Sequence, residues 1–215
     1  MHVPDGFLSP QTYVPALVVA AGAWVYAARQ LQRRLDDTLL PRLAVLSALG
    51  FVLMSVMLPL PGGTSVHASG IGVLAVVFGP WLAFATVSLV LLLQALVFGA
   101  GGITVLPVNA LAMGLAGSAA ACLGYRLLGR VDERAGLFAA GWLATVVPAA
   151  IVAVVLGLQP AIAHAPDGQP LFFPFGLAVT LPAVFVPHVL LGLAEGLLTV
   201  LVVGFLRRRP GGAGA

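Results

Sequence analysis

Residues 66–98, VHASGIGVLAVVFGPWLAFATVSLVLLLQALVF, contain no aspartate, glutamate, lysine or arginine, and they decide how this chain must fold. A helix needs about 20 apolar residues to cross the roughly 30 Å hydrocarbon core of a bilayer. The run is broken only at Gly79-Pro80, a pair that is typical of either a turn or a kink. The stretch therefore crosses a membrane twice if the pair is a turn, and once if it is a kink.

The rest of the chain has the same character. Of its 215 residues, 60% are hydrophobic and only 8% are charged, which leaves too little polar surface for a soluble globular domain. The apolar blocks are 11–28, 43–58, 66–79, 81–98, 104–125, 136–158 and 175–206. We predict an all-α integral membrane protein of seven transmembrane helices. It forms a single domain over 1–215, with an N-terminal segment (1–10), a helical bundle (11–206) and a tail (207–215).

Arginine placement sets the predicted orientation. The chain has no lysine, and its ten arginines fall in three groups beside apolar blocks, within 29–42, 126–134 and 207–209. If 66–98 crosses twice, all three groups emerge on one side, which the positive-inside rule makes cytoplasmic. The N-terminus is then outside and the C-terminus inside. Arginines next to membrane segments do not form a nucleic-acid-binding stripe, so we expect no nucleic-acid partner despite the net charge of +3.

The outer loops in this topology are 1–10, 59–65, 99–103 and 159–174. The last apolar block contains Pro182 and Pro187, so we expect part of it to be broken or re-entrant. The N-terminus lacks the pattern of a cleaved signal peptide, and we expect the natural start to be retained.

Histidine is the residue type most able to carry chemistry here. His2 and His67 both fall on the outer side. A chain that begins Met1-His2 offers three nitrogen ligands, namely the terminal amine, the amide nitrogen of His2 and its imidazole, and His67 could add a fourth. Nitrogen donors suit Ni(II), Cu(II) or Co(II), whereas Mg(II) and Ca(II) prefer oxygen. Thr64 and Ser65 could hydrogen-bond to such a site. The alternative is that the two histidines are unrelated surface residues.

The other polar residues leave several alternatives open. His188 and Glu195 are seven residues apart, so a continuous helix would place them on one face about 10 Å apart. They could form a second metal site or a proton relay, or have a structural role. His164 is expected to be solvated. No GxxxxGK[ST] motif is present, so we expect no ATP hydrolysis by this chain and no enzyme activity.

Four ordered stretches resemble one known family. They are Met1-His2-Val3-Pro4-Asp5-Gly6-Phe7-Leu8-Ser9-Pro10, then GTSVH at 63–67, then QALVFGAGGIT at 94–104 leading into NALAMG at 109–114, and lastly His188 with EGLLT at 195–199. Together they resemble the CbiM/NikM family, the substrate-capture components of energy-coupling-factor (ECF) transporters for cobalt and nickel. The motifs extend over the whole chain.

This resemblance implies a set of site residues. It makes Met1, His2 and His67 the metal ligands and lets the N-terminal segment plug into the bundle, anchored by Asp5. We expect Asn109 beside Thr64 and Ser65 around the ligands, and a loop from Gln94 to Thr104 lining the cavity.

The resemblance also implies partners and a location. The substrate is Ni²⁺ or Co²⁺, with no organic cofactor. The partners are an ECF transmembrane coupling subunit, ATP-binding subunits and, in some systems, a small accessory membrane protein. The location is the bacterial inner membrane. In related capture components an alanine face contacts the coupling subunit, so Ala16, Ala20, Ala23 and Ala27 could either dock there or pack within the chain.

Two other functions remain open on the sequence. A membrane-embedded metalloenzyme would need a general base beside its metal, and Glu195 is the one acidic residue deep in an apolar block. A vitamin-capture component would use an aromatic pocket instead of nitrogen donors.

Overall fold

The structure is a computed structural model that describes residues 2–60 and 64–208. The helices, in chain order, are α1 (Pro10–Arg34), α2 (Leu39–Ser55), α3 (Ile71–Phe78), α4 (Pro80–Phe98), α5 (Leu106–Leu128), α6 (Glu133–Ile162) and α7 (Leu177–Arg208). A short antiparallel hairpin, β1 (Leu58–Leu60) and β2 (Thr64–Val66), lies between α2 and α3.

Five of these helices, α1, α4, α5, α6 and α7, are long and apolar enough to cross a membrane. The prediction of a mostly helical, multi-pass membrane protein is confirmed to that extent. Helix α2 has 17 residues and α3 only 8. At a rise of 1.5 Å per residue, α3 is roughly 12 Å long and cannot span the bilayer core by itself. The count of seven spans stays a prediction.

The path of 66–98 explains why α3 is short. The chain leaves β2, passes through residues 67–69 without regular secondary structure and enters α3 at Gly70, whose φ of +67° is readily adopted only by glycine. At the other end of α3, the guanidinium of Arg34 donates a hydrogen bond of 3.3 Å to the carbonyl of Phe78. The α3–α4 junction therefore lies where α1 ends, and α4 returns from there.

The ends of α5, α6 and α7 that carry arginines meet one another. Arg207 pairs with Glu133 and donates a 3.0 Å hydrogen bond to the Tyr125 hydroxyl, with its guanidinium 5.9 Å from the centre of that ring. These groups are exposed, so each contact contributes on the order of 1 kcal/mol or less. They identify one end of the bundle as the arginine end.

Small residues allow the helices to approach closely in the core. A Cβ placed on Gly72 would lie 2.7 Å from the Cα of Gly141, so α3 and α6 touch backbone to backbone. On α1, Ala20 and Ala27 are 0% and 1% exposed and face the interior. Ala20 and Ala27 therefore pack within the chain, while Ala16 and Ala23 are half-buried, and docking of a partner on this face stays a prediction.

Two expectations needed correction. The last apolar block is not re-entrant, because α7 runs continuously and accommodates Pro182 in a π-helical stretch, Leu181–Phe185. The predicted loop 59–65 contains most of the β-hairpin, which its Pro- and Gly-rich sequence did not indicate.

Candidate metal centre

The N-terminal segment enters the bundle as extended chain. Val3 is fully buried, and the side-chain amide of Asn109 pairs with its backbone: Val3 N–H donates to Oδ1 and Asn109 Nδ2 donates to the Val3 carbonyl, both at 3.0 Å. The amide thus reproduces one rung of a β-ladder and satisfies two buried backbone groups. Asn109 sits just before a π-helical stretch of α5, Ala110–Gly117.

Asp5 forms the second anchor. Its carboxylate accepts hydrogen bonds from the backbone N–H groups of Ile103 and Thr104, both at 3.0 Å, and from the Thr104 hydroxyl. Partial burial alone would raise the pKa of Asp5, but these hydrogen bonds outweigh burial and hold it below its usual range. A Cβ on Gly102 would overlap Asp5, so only glycine allows this approach.

A third anchor precedes α1. The backbone N–H of Ser9 donates to Gln159 Oε1 at 2.9 Å, and Gln159 Nε2 donates to the Thr12 hydroxyl at 3.0 Å. Phe173 N–H donates to the Phe7 carbonyl at 3.2 Å, and the two rings are 5.3 Å apart. Gln159 is not among the residues predicted from the sequence, although a glutamine at the end of an apolar block is a signal for a buried polar role.

The anchored segment brings His2 against His67. Their ring centroids are 4.5 Å apart with planes tilted by 33°, and the residues are only 4% and 2% exposed. His67 Nδ1 lies 3.0 Å from the Ala68 carbonyl. Because a carbonyl can only accept, Nδ1 carries the proton and Nε2 keeps its lone pair.

Three ring nitrogens of this pair have no hydrogen-bond partner among the described residues: both nitrogens of His2, and Nε2 of His67. Burial without a partner costs about 1–3 kcal/mol for each such group. The pKa of His2 is lowered below its usual range, mainly by burial and secondarily by the neighbouring His67. The unpartnered nitrogens of the two rings can offer lone pairs to a metal ion.

A cleft of about 250 Å³ lies beside His2. It lies between the β-hairpin and the loop after α4 and is lined by His2, Pro4, Met57, Pro59, Ser65, Ala100 and Gly101. Gly101 has a φ of +80°, and a Cβ there would come within 3.4 Å of both His2 and Asn109. The cleft is large enough for an ion with its water, and it is small for an organic ligand.

The sequence and the fold can be compared with those of known proteins. Residues 2–211 match the family model described as the cobalt uptake substrate-specific transmembrane region. The chain belongs to this family. The family resemblance drawn from the four sequence motifs is therefore confirmed.

Relatives in the cobalt uptake family carry transport names. The chain is 39% identical over 215 residues to the fused nickel transport protein NikMN of Rhodobacter capsulatus, covering 97% of this chain and 62% of that protein. It is 28% identical over 214 residues to the cobalt transport protein CbiM of Clostridium tetani, covering 97% and 85%. This family member thus spans about three-fifths of the fused relative.

A crystal structure of a truncated transition metal transporter has the same fold. It superposes with a TM-score of 0.93 at 36% identity, covering 96% of this chain and 98% of that one. A second crystal structure, of a transition metal transporter, gives a TM-score of 0.93, also at 36% identity, and covers 97% of this chain and 93% of that one.

The structure places the other predicted site residues in different positions. Met1 and the side chain of Thr64 lie outside the described part of the chain, and Ser65 lines the cleft. Thr104 holds Asp5 and does not line the cleft.

Gln94 does not belong to a loop. Helix α4 continues to Phe98, where Ala100 N–H caps the Gln94 carbonyl at 3.1 Å. The Gln94 side chain is fully buried and donates to the Phe51 carbonyl in α2 at 3.4 Å. The expectation that it lines the cavity is wrong, and Ala100 and Gly101 do so instead.

His188 and Glu195 are both buried in α7, with exposures of 0% and 1%. His188 Nδ1 donates to the Val184 carbonyl at 2.6 Å, and its Nε2 has no partner among the described residues. The Glu195 carboxylate accepts from the backbone N–H groups of Ser69 and Gly70. His164 is exposed, in the loop between α6 and α7.

Proposed function

We propose that this chain is the substrate-capture membrane component of an importer for Ni²⁺ or Co²⁺. The observation that carries the proposal is the buried pair of His2 and His67, beside a small cleft that His2 lines. Three of their four ring nitrogens have no hydrogen-bond partner among the described residues. A divalent transition ion would satisfy those lone pairs. His67 Nδ1 donates to the Ala68 carbonyl, which leaves the Nε2 lone pair of that ring for the ion.

Backbone nitrogens complete the proposed donor set. Among residues 2–60 and 64–208, no group of three or more His, Cys, Asp or Glu side chains could hold a metal ion. Two imidazoles alone are too few, and the amine of Met1 with the amide nitrogen of His2 would supply the remaining donors. A nitrogen-only set of this kind suits Ni(II) or Co(II) and discriminates against Mg(II) and Ca(II).

The same proposal includes the orientation in the membrane. The N-terminus and the cleft face outward, while the arginine end faces the cytoplasm of a bacterial cell, in the inner membrane. The path of 66–98 supports seven crossings, because it starts beside His2, reaches Arg34 at the end of α1 and returns to Gly101. The segment 67–78 would cross as irregular chain followed by α3.

Energy for uptake would come from partners. The sequence has no nucleotide-binding loop, and we propose that an ECF transmembrane coupling subunit and ATP-binding subunits drive release, with or without a small accessory membrane protein. The small cleft favours an ion over a vitamin. No observation on the described residues favours a hydrolase, because the Glu195 carboxylate is occupied by backbone N–H groups.

Titration of the purified protein with Ni²⁺ and with Co²⁺ tests the proposal, followed by the visible absorption of the complex. We expect one ion per chain, no competition from a large excess of Mg²⁺, and loss of binding when the α-amine of Met1 is acetylated or extended by a tag. A tag on the C-terminus is the matched control. Undiminished binding by the acetylated protein would remove the amine from the donor set.

A further inference from the structure

Glu195 makes an unusual contact for a carboxylate deep in a helical bundle. It is 1% exposed in α7, and it reaches across to the chain just before α3. There it accepts hydrogen bonds from the backbone N–H of Ser69 to Oε1, and from the N–H of Gly70 to Oε1 at 3.2 Å and Oε2 at 3.3 Å.

These bonds hold the segment that carries His67. Residues 67–70 belong to neither β2 nor α3, although the Gly70 carbonyl accepts the first hydrogen bond of α3, from Leu74 N–H at 3.1 Å. The first N–H groups of a helix lack partners inside the helix, and a buried one without any partner is costly. Glu195 supplies the acceptor, so the position of His67, two residues before Ser69, depends on a side chain of α7.

Glu195 is itself held firmly. The Thr199 hydroxyl donates to the Glu195 carbonyl at 2.8 Å, and the backbone of Gly141 in α6 packs against that carbonyl. Gly70 is confined from the other side, since a Cβ there would meet Leu53 at 3.3 Å. The segment and the carboxylate therefore cannot shift independently.

The carboxylate is badly placed to be a metal ligand. Both of its oxygens are engaged by backbone N–H groups, and it belongs to no group of three potential ligand side chains among residues 2–60 and 64–208. Any effect on the ion must pass through the backbone to the His67 ring.

We propose that Glu195 is a positioning residue for the metal site. By binding the Ser69 and Gly70 N–H groups it fixes His67 opposite His2, and it ties the site to α7. This inference rests on the proposed function, because it takes the His67 ring, which Glu195 positions, to be a metal ligand. The contact between the two histidine rings can, however, be measured separately from metal binding.

The first experiment therefore uses metal-free protein. The matched pair is Glu195→Ala and Thr145→Val, since Thr145 is equally buried and, among the described residues, its hydroxyl bonds to the Gly141 carbonyl of its own helix. With histidine-labelled protein, we expect the nuclear Overhauser contacts between the His2 and His67 rings to persist in wild type and in Thr145→Val and to vanish in Glu195→Ala. Persistence of those contacts in Glu195→Ala would overturn the proposal.

The second experiment titrates the same variants with Ni²⁺. We expect Glu195→Ala to weaken binding tenfold or more and to change the visible spectrum, while Glu195→Gln, whose amide oxygen can accept the same N–H groups, stays within threefold of wild type. Equal weakening by Glu195→Gln and Glu195→Ala would mean that the charge acts on the ion directly, against a positioning role.

Failure of the positioning role of Glu195 can be distinguished from failure of the proposed function. If Glu195→Ala does not fold, Glu195→Asp, which is one methylene too short to reach both N–H groups, takes its place. If wild type binds no Ni²⁺ or Co²⁺, the proposed function fails, and the ring contacts of the metal-free variants still decide whether Glu195 positions His67.

Discussion

The side chain of Asn109 and the backbone of Val3 form a closed pair of 3.0 Å hydrogen bonds between residues 106 positions apart. This pair fixes the backbone one residue after His2, so the His2 ring is placed by α5 and not by the N-terminal segment itself. The segment behaves as a short strand bound to a side chain.

Asn109→Ala should therefore weaken metal binding. Two buried hydrogen bonds, each contributing about 0.5–1.5 kcal/mol, correspond to roughly a five- to hundredfold change in affinity. Asn109→Asp should recover only part of the lost affinity, because a carboxylate can accept from the Val3 N–H but repels the Val3 carbonyl. Calorimetric titration with Ni²⁺ measures the series, and wild-type affinity in Asn109→Ala would contradict it.

Replacement of His67 and replacement of His164 should have very different effects on metal binding. His67→Ala removes a proposed ligand and should reduce affinity at least about a hundredfold, or roughly 2.7 kcal/mol. His164→Ala, at an exposed position in the loop between α6 and α7, should leave the affinity unchanged. Equilibrium dialysis with Ni²⁺ compares the two variants directly. If His67→Ala and His164→Ala bound Ni²⁺ equally well, the contact between His2 and His67 would have no role in binding.

Close helix contact in the core predicts opposite results for two glycines. Gly72→Ala places a methyl group 2.7 Å from the Gly141 backbone and should lower the melting temperature by several degrees, as overpacking costs about 1–3 kcal/mol. Gly22→Ala, with nothing within 4 Å, should leave the melting temperature unchanged or raise it. Thermal unfolding in detergent tests both variants, and an unaffected Gly72→Ala would argue against direct α3–α6 contact.

The anchor at Asp5 should depend on pH. Its pKa is lower in the folded protein than the usual value of 3.8, because the hydrogen bonds from Thr104 and Ile103 outweigh burial. The anchor is thus fully formed above about pH 3.8 and is lost as the pH falls through the lower, folded pKa. The protection of the Thr104 amide, measured as its hydrogen-exchange rate relative to the intrinsic rate at the same pH, should be high at neutral pH and fall only in acid.

Asp5→Asn imitates the acid state at pH 7 and should accelerate Thr104 exchange there. Asp167→Asn is the control, since Asp167 bonds only to the Gln169 N–H in the outer loop. Slow exchange at Thr104 in Asp5→Asn would show that Gly102 and the neighbouring backbone hold the segment without the carboxylate.

The metal centre shows which site residues local sequence patterns can predict and which they cannot. Polar residues are scarce in this apolar chain, which makes Met1, His2 and the isolated His67 candidates for a site. The structure brings His2 and His67 together. Gln94 drew attention for the same reason, but it faces α2, because nothing in the sequence tells which side of a uniformly apolar helix is turned inward. Glu195 was noted without a partner, since its contact lies 126 residues away.

The sequence by itself determined that this is a helical membrane protein, where its long helices run and which four stretches join it to a family, because hydropathy, arginine placement and motifs are local properties of the chain. Tertiary structure alone decided that α3 is short, that two alanines of α1 pack inward, and that Asn109, Gln159 and Glu195 hold the segments carrying His2 and His67. Those contacts join residues 106, 150 and 126 positions apart. Their partners are backbone N–H groups, which every residue except proline carries, so no pattern of side chains could have indicated them.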